Sequence, residues 1–194
     1  YQTNESIVLK INCNNCYTGY EDTDDQIDSA PQSVLAILRQ LVNRAGVPQG
    51  QITVYEAVRY IPNRILDNCR TEFPNVRWLD SLGGNGVCQK VTWHANAFTY
   101  STNLAKLENK VPEAVYQATY LINMALLKGH WHAGVSLTAK NHLGTISGAP
   151  FDHTYIAAHK LPMGGYHPFV DFIGTRQLGG KTLLYMIEGL YGGL

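Results

Sequence analysis

Residues 119–127 read T-Y-L-I-N-M-A-L-L, the most apolar run of the chain, broken only by Asn123. Crossing a bilayer takes about 20 apolar residues, so this run predicts no membrane span. A strand this apolar has no face to give to water, and it belongs near the middle of a sheet covered by helices on both sides. Residues 6–11 (S-I-V-L-K-I), 52–58 and 182–187 are rich in β-branched and apolar side chains and supply further strands. Between the first two, Ser29 and Pro31 stand where a helix starts. Val34, Leu35, Ile37, Leu38, Leu41, Val42 and Ala45 then recur at helical spacing until Gly46 stops it. Strand–helix–strand units of this kind pair in parallel.

The fold expected is therefore α/β and Rossmann-like. Its mostly parallel sheet is built on residues 7–11, 52–55, 120–127 and 183–187, with helices on both faces and 34–45 as one of them. Residues 62–73 and 169–177 read as further helices, 76–79 as a strand, 87–100 as a β-rich stretch and 112–117 as a short helical turn. A helix is expected over 133–143, and a long irregular loop over 150–168.

All 194 residues fit one domain. With 45% apolar and 15% charged residues, the chain has the means to bury a core and is not a disordered segment. Fifteen Lys and Arg against fifteen Asp and Glu leave no net charge, which argues against the basic face that a duplex nucleic-acid binder needs. The chain starts at Tyr1 and stops at Gly192-Gly193-Leu194, just past a strand-like run. It is expected to be a fragment or processed form of a longer chain. Four cysteines (Cys13, Cys16, Cys69 and Cys88) are too few for a disulfide scaffold of this length.

Some tempting patterns fail on context. Gly179-Gly180-Lys181-Thr182 resembles the end of a phosphate loop, but Thr175 stands where the first glycine belongs, and the segment enters a strand where a phosphate loop enters a helix. Cys13-Asn14-Asn15-Cys16 lacks a helix N-terminus to activate a thiolate and has no second pair to complete a metal site. Glu21, Asp22, Asp24, Asp25 and Asp28 miss the calcium-loop glycine and read as a solvated loop before a helix.

Two groups of residues carry more. His130 and His132 share one face if the strand runs through them. With a carboxylate such as Asp152 they would suit a transition metal: zinc, iron or nickel. Lys128-Gly129-His130 follows the apolar strand, and Gly134, Ser136, Lys140, Asn141 and Gly144 come after it. In a parallel sheet the carboxyl ends of strands and the next helix N-termini form the ligand crevice. Two lysines and an imidazole at that edge would attract an anion, and like charges lower a lysine's pKa toward that of a nucleophile or base. Lys140 is expected over a turn inside its helix, with its amine meeting His130 in a common, partly enclosed pocket.

The chain resembles domain-of-unknown-function family 362 over nearly its whole length. The matching pieces are V-L-K-I-N at 8–12, A-G-V-P-Q-G-Q-I-T-V-Y at 45–55, L-I-N-M-A-L-L-K-G-H at 121–130, G-V-S-L-T-A-K-N-H-L-G at 134–144 and L-L-Y-M-I-E-G-L-Y-G at 183–192. Glu188 stands where the family is expected to favour Asp, and the Cys13/Cys16 pair is not a family feature. The resemblance implies the Rossmann-like fold and a site, without an activity. It also implies an exported, periplasmic location in bacteria and a ferredoxin-like redox partner, since such signals and modules accompany family members. More distantly, His130, Gly134, Ser136, Lys140 and Gly144 are similar to the catalytic segment in the N-terminal domain of nickel-pincer lactate racemases. That likeness implies a lysine that anchors a metal-containing cofactor and a histidine that exchanges the substrate's α-proton.

The sequence thus points to a small-molecule or cofactor site formed by Lys10, Asn12, Lys128, His130, Gly134, Ser136, Lys140, Asn141 and Gly144. His130 and Lys140 are its catalytic candidates and a small anionic molecule its ligand. His130 and His132 are candidate metal ligands. The chemistry expected is proton transfer or isomerisation next to a carboxylate. Its rivals are a metal-binding or redox accessory domain and a non-catalytic anion-binding domain.

Overall fold

The computed structural model describes residues 2, 4–14, 19–21, 27–102, 108–130, 134–147 and 165–190. Its centre is a six-stranded, all-parallel sheet made of β1 (Ile7–Lys10), β2 (Ile52–Glu56), β3 (Arg77–Asp80), β4 (Gln89–Lys90), β7 (Tyr120–Leu126) and β10 (Thr182–Glu188). Strand order across the sheet is β10-β7-β1-β2-β3-β4. The chain therefore runs outward from β1 through β2 and β3, then crosses back to lay β7 on the other side of β1 and β10 beyond it. This reversal leaves a switch point between β1 and β7. β1 and β7 are held in register from Ile7 opposite Tyr120 to Lys10 opposite Asn123. Two small antiparallel pairs lie outside the sheet: β5 (Trp93–His94) with β6 (Val111–Pro112), and β8 (Lys128–His130) with β9 (Gly134–Ser136).

Strand alternation divides the core into two layers. Ile7, Leu9, Val54, Trp78, Ile122 and Met124 face α1 (Pro31–Arg39) and α2 (Asn63–Arg70), which offer Val34, Leu38, Ile65 and Leu66. On the opposite face Val8, Tyr55 and Leu121 meet α3 (Glu113–Gln117), α4 (Thr138–Leu143) and α5 (Pro168–Gly174) through Val115, Leu143 and Phe172. Helices on both faces of a parallel sheet are what the apolar strands required.

Helix boundaries follow local chemistry. Pro31 opens α1, where its missing N–H would have no partner anyway. The helix continues as a π-turn over Gln40–Arg44, and Gly46, at φ 72°, ends it. Lys181 closes α3 from outside: its ammonium donates to the carbonyls of Val115 (2.8 Å), Tyr116 (3.0 Å) and Ala118 (2.9 Å), groups that a helix end leaves unpaired. Gly179–Lys181 is accordingly a short 3-10 turn leading into β10. Lys181→Met is expected to lower stability by about 2 kcal/mol, the scale of bonds to a charged donor, as read by urea unfolding.

Two expectations need correction. The helix read over 133–143 begins only at Thr138, and residues 134–136 form β9. Gly134 sits at φ 76°, outside the right-handed helical region, so it turns the chain into a hairpin and cannot open a helix. The β-rich stretch at 87–100 yields only the two-residue strands β4 and β5. The loop expected at 150–168 lies mostly outside the described residues.

Candidate functional site at the strand ends

Parallel strands bring their carboxyl ends to one edge of the sheet, and the switch point on that edge is where folds of this kind hold their ligands. Lys10, the last residue of β1, reaches this edge as a fully buried side chain. Its ammonium donates to Glu56 Oε2 at 2.6 Å and to the Ile11 carbonyl at 2.6 Å, with Asn141 Oδ1 at 3.5 Å. Glu56, the last residue of β2, is itself buried and accepts from the Cys13 and Val58 backbone N–H groups, both at 3.3 Å. Tyr55 lays its ring 5.8 Å from the Lys10 ammonium, and Gly144 sits against it: a Cβ there would stand 3.4 Å from Nζ. Lys10 is therefore an internal cation whose donors are taken up by protein partners.

Three asparagines tie the elements around it. Asn141 on α4 donates to Asn123 Oδ1 (2.9 Å) and the Met124 carbonyl (3.1 Å) on β7. It accepts from Asn12 Nδ2 (3.0 Å), just past β1. Asn123 in turn donates to the Thr138 carbonyl at 3.0 Å. The polar break in the apolar strand is thus the anchor that holds the first turn of α4 at the switch point. Partners for a primary amide are scarce inside a protein, so a network that engages both the Nδ2 and the Oδ1 of Asn141 favours one arrangement.

The hairpin after β7 supplies the rest. Lys128 lies opposite Ser136 and His130 opposite Gly134, and alternation puts Lys128, His130 and Ser136 on one side of the hairpin. Ser136 is buried, and its hydroxyl has no hydrogen-bond partner among the described residues. Because α4 starts at Thr138, Lys140 falls in its first turn rather than deep inside it. Lys140 is half-buried, and its pKa is pushed down to about 8, first by burial and then by the neighbouring charges of Lys128, Lys10 and Arg59. Lys128 is lowered too, chiefly by burial, with Asp28 and Glu56 opposing the shift. Among the described residues neither lysine ammonium has a hydrogen bond or ion pair. The nearby carboxylates are engaged elsewhere: Glu56 by Lys10 at 2.6 Å and Asp28 by Arg64 at 3.0 Å.

The structure thus gathers Lys10, Asn12, Asn141 and Gly144 around one buried ion pair, and sets Lys128 and Lys140 beside it with Arg59. Glu56, Arg59 and Asn123 were not singled out from the sequence. Glu56 carried a usable signal, since it directly follows the apolar run of β2 and ends a parallel strand. Glu188 closes the same edge from β10, where its Oε1 accepts the Ala30 N–H at 2.9 Å at the start of α1. No group of three or more metal-ligating side chains occurs among the described residues; His132 and Asp152 lie outside them. Cys13 is buried and Cys16 lies outside the described residues.

A doubly wound, all-parallel α/β sheet with helices on both faces defines a Rossmann-like class of domain. Within that class the chain belongs to the DUF362 family, described as a domain of unknown function, whose model matches residues 7–173. No curated protein and no solved structure matches the chain.

Proposed function

We propose that the strand-end crevice binds a small carboxylate and moves a proton on the carbon beside it. One observation carries the reading: Lys128 and Lys140 lie close enough at the strand ends to repel each other, with no carboxylate among the described residues paired to either. Partly buried cations that repel one another are relieved by an anionic ligand. Ser136 Oγ, buried opposite Lys128 and without a partner among the described residues, would offer that ligand a hydroxyl. His130, on the same side of the hairpin, is the acid/base group, and the likeness of its segment to that of the pincer racemases supports this role.

Malonate titrated by calorimetry is the test. Binding is expected, with affinity falling about tenfold or more in Lys128→Ala, the range for one lost charge-assisted bond. Affinity should also fall as pH rises through about 8, because Lys140 then loses the charge that attracts the anion. Absence of binding at millimolar malonate would remove the reading. Binding of malonate, with no acceleration by the chain of C2-proton exchange in acetoacetate in heavy water, would leave a non-catalytic anion-binding domain.

A further inference from the structure

A proton on the carbon beside a carboxylate is a very weak acid, and neither an imidazole nor an amine removes it unless the electrons left behind have somewhere to go. Lys140 is placed to provide that destination. It lies in the first turn of α4, which Asn141 ties to β7; the residue is half-buried, and its amine has no partner among the described residues. Lys128, on β8, stands beside it, and α4 follows β8's hairpin partner β9 directly.

Resting on the carboxylate reading above, we infer that Lys140 forms an imine with a 3-oxo acid whose carboxylate is held by Lys128. The neutral amine adds to the ketone carbon and a C–N bond forms; the carbonyl oxygen leaves as water with one proton from the amine and one from solvent, which leaves a protonated imine. The protonated imine then draws electrons from the C2–H bond between itself and the carboxylate. The C2 proton passes to His130, and its bonding pair becomes the C=C bond of an enamine; the reverse steps and hydrolysis return the free lysine. A lysine needs desolvation or an adjacent cation to be neutral enough for this, and Lys140 has both. At pH 7 an amine of pKa about 8 is roughly one-tenth neutral, against under one part in a thousand for an ordinary lysine.

Lys181 offers an internal comparison. Its pKa is also lowered to about 8 by burial, but it lies at the opposite end of the sheet with its donors tied to three carbonyls. Acetoacetate with borohydride at pH 7, followed by peptide mass mapping, separates the two. The expected result is a reduced adduct, with or without its carboxyl group, on Lys140 at ten times or more the level on Lys181 and on exposed Lys90. Acetone, which has the carbonyl and lacks the carboxylate, should label Lys140 at least tenfold less. Malonate should protect, and Lys128→Ala should lower labelling by acetoacetate toward that by acetone. Equal labelling of Lys140, Lys90 and Lys181 would overturn the inference, as would an unlabelled Lys140 in a chain that binds malonate. In that second case the carboxylate site itself would stand; if malonate also failed to bind, both would fall.

Discussion

Replacing Glu56 by Ala is expected to cost about 3–5 kcal/mol of stability, the range for stranding one partner of a buried ion pair. Lys10 is fully buried, so removing Glu56 leaves its ammonium without its counter-charge. The Cys13 and Val58 N–H groups would lose their acceptor as well. Urea unfolding at pH 7 reads the effect directly. The pair Lys10→Met with Glu56→Leu should lose much less than Glu56→Ala alone, because two apolar side chains of similar volume remove both charges together. A Glu56→Ala chain within 1 kcal/mol of the parent would contradict the arrangement at the end of β1 and β2.

Acid should weaken the fold through His142 by about 2 kcal/mol between pH 7 and pH 5. The ring is fully buried, with Nε2 3.4 Å from the Tyr185 hydroxyl and Nδ1 unpartnered among the described residues. Burial, followed by the charge of Lys10, pushes its pKa down from 6.5 to about 3. Below pH 6.5 the unfolded chain therefore takes up a proton that the folded chain refuses. Stability from this group is complete above pH 6.5 and is lost progressively as pH falls toward 3, at about 1.4 kcal/mol per unit. Comparing the parent with His142→Gln at pH 7 and pH 5 isolates it from other titrating groups. The stability gap between the two should narrow by about 2 kcal/mol at the lower pH; a gap that does not change with pH would refute the buried neutral imidazole.

The central strands were legible because each is a short apolar run separated from the next by helix-length sequence, and such runs admit few arrangements. Residues 7–11, 52–55, 120–127 and 183–187 accordingly fall on β1, β2, β7 and β10. The hairpin of β8 and β9 was hidden because Gly134 suits both a helix start and a left-handed turn, and only its φ of 76° decides between them. At the site, Lys128, Lys140 and Asn141 could be named from their place after the most apolar strand. Their division of labour could not be read that way. Lys10 is a buried ion-pair partner and Lys128 is not, because Glu56 ends the strand beside Lys10, and that adjacency arises from pairing β1 with β2 across a whole helix. Asn123 looked like an interruption in a strand, yet its amide is what fastens α4.

The seam between β1 and β7 also governs how the molecule comes together. Ile7 and Tyr120 are more than one hundred residues apart in sequence, whereas β1 meets β2 after a much shorter excursion. Closing the longer loop costs more chain entropy, and non-local parallel pairings form slowly. The first half of the sheet can gather early, but the switch point does not exist until β7 arrives with α4 bonded to it. A ligand of the proposed site would thus meet the finished chain alone. An anion that fits there would act as a latch on the last joint, lengthening the lifetime of the native state while leaving the rate of folding unchanged.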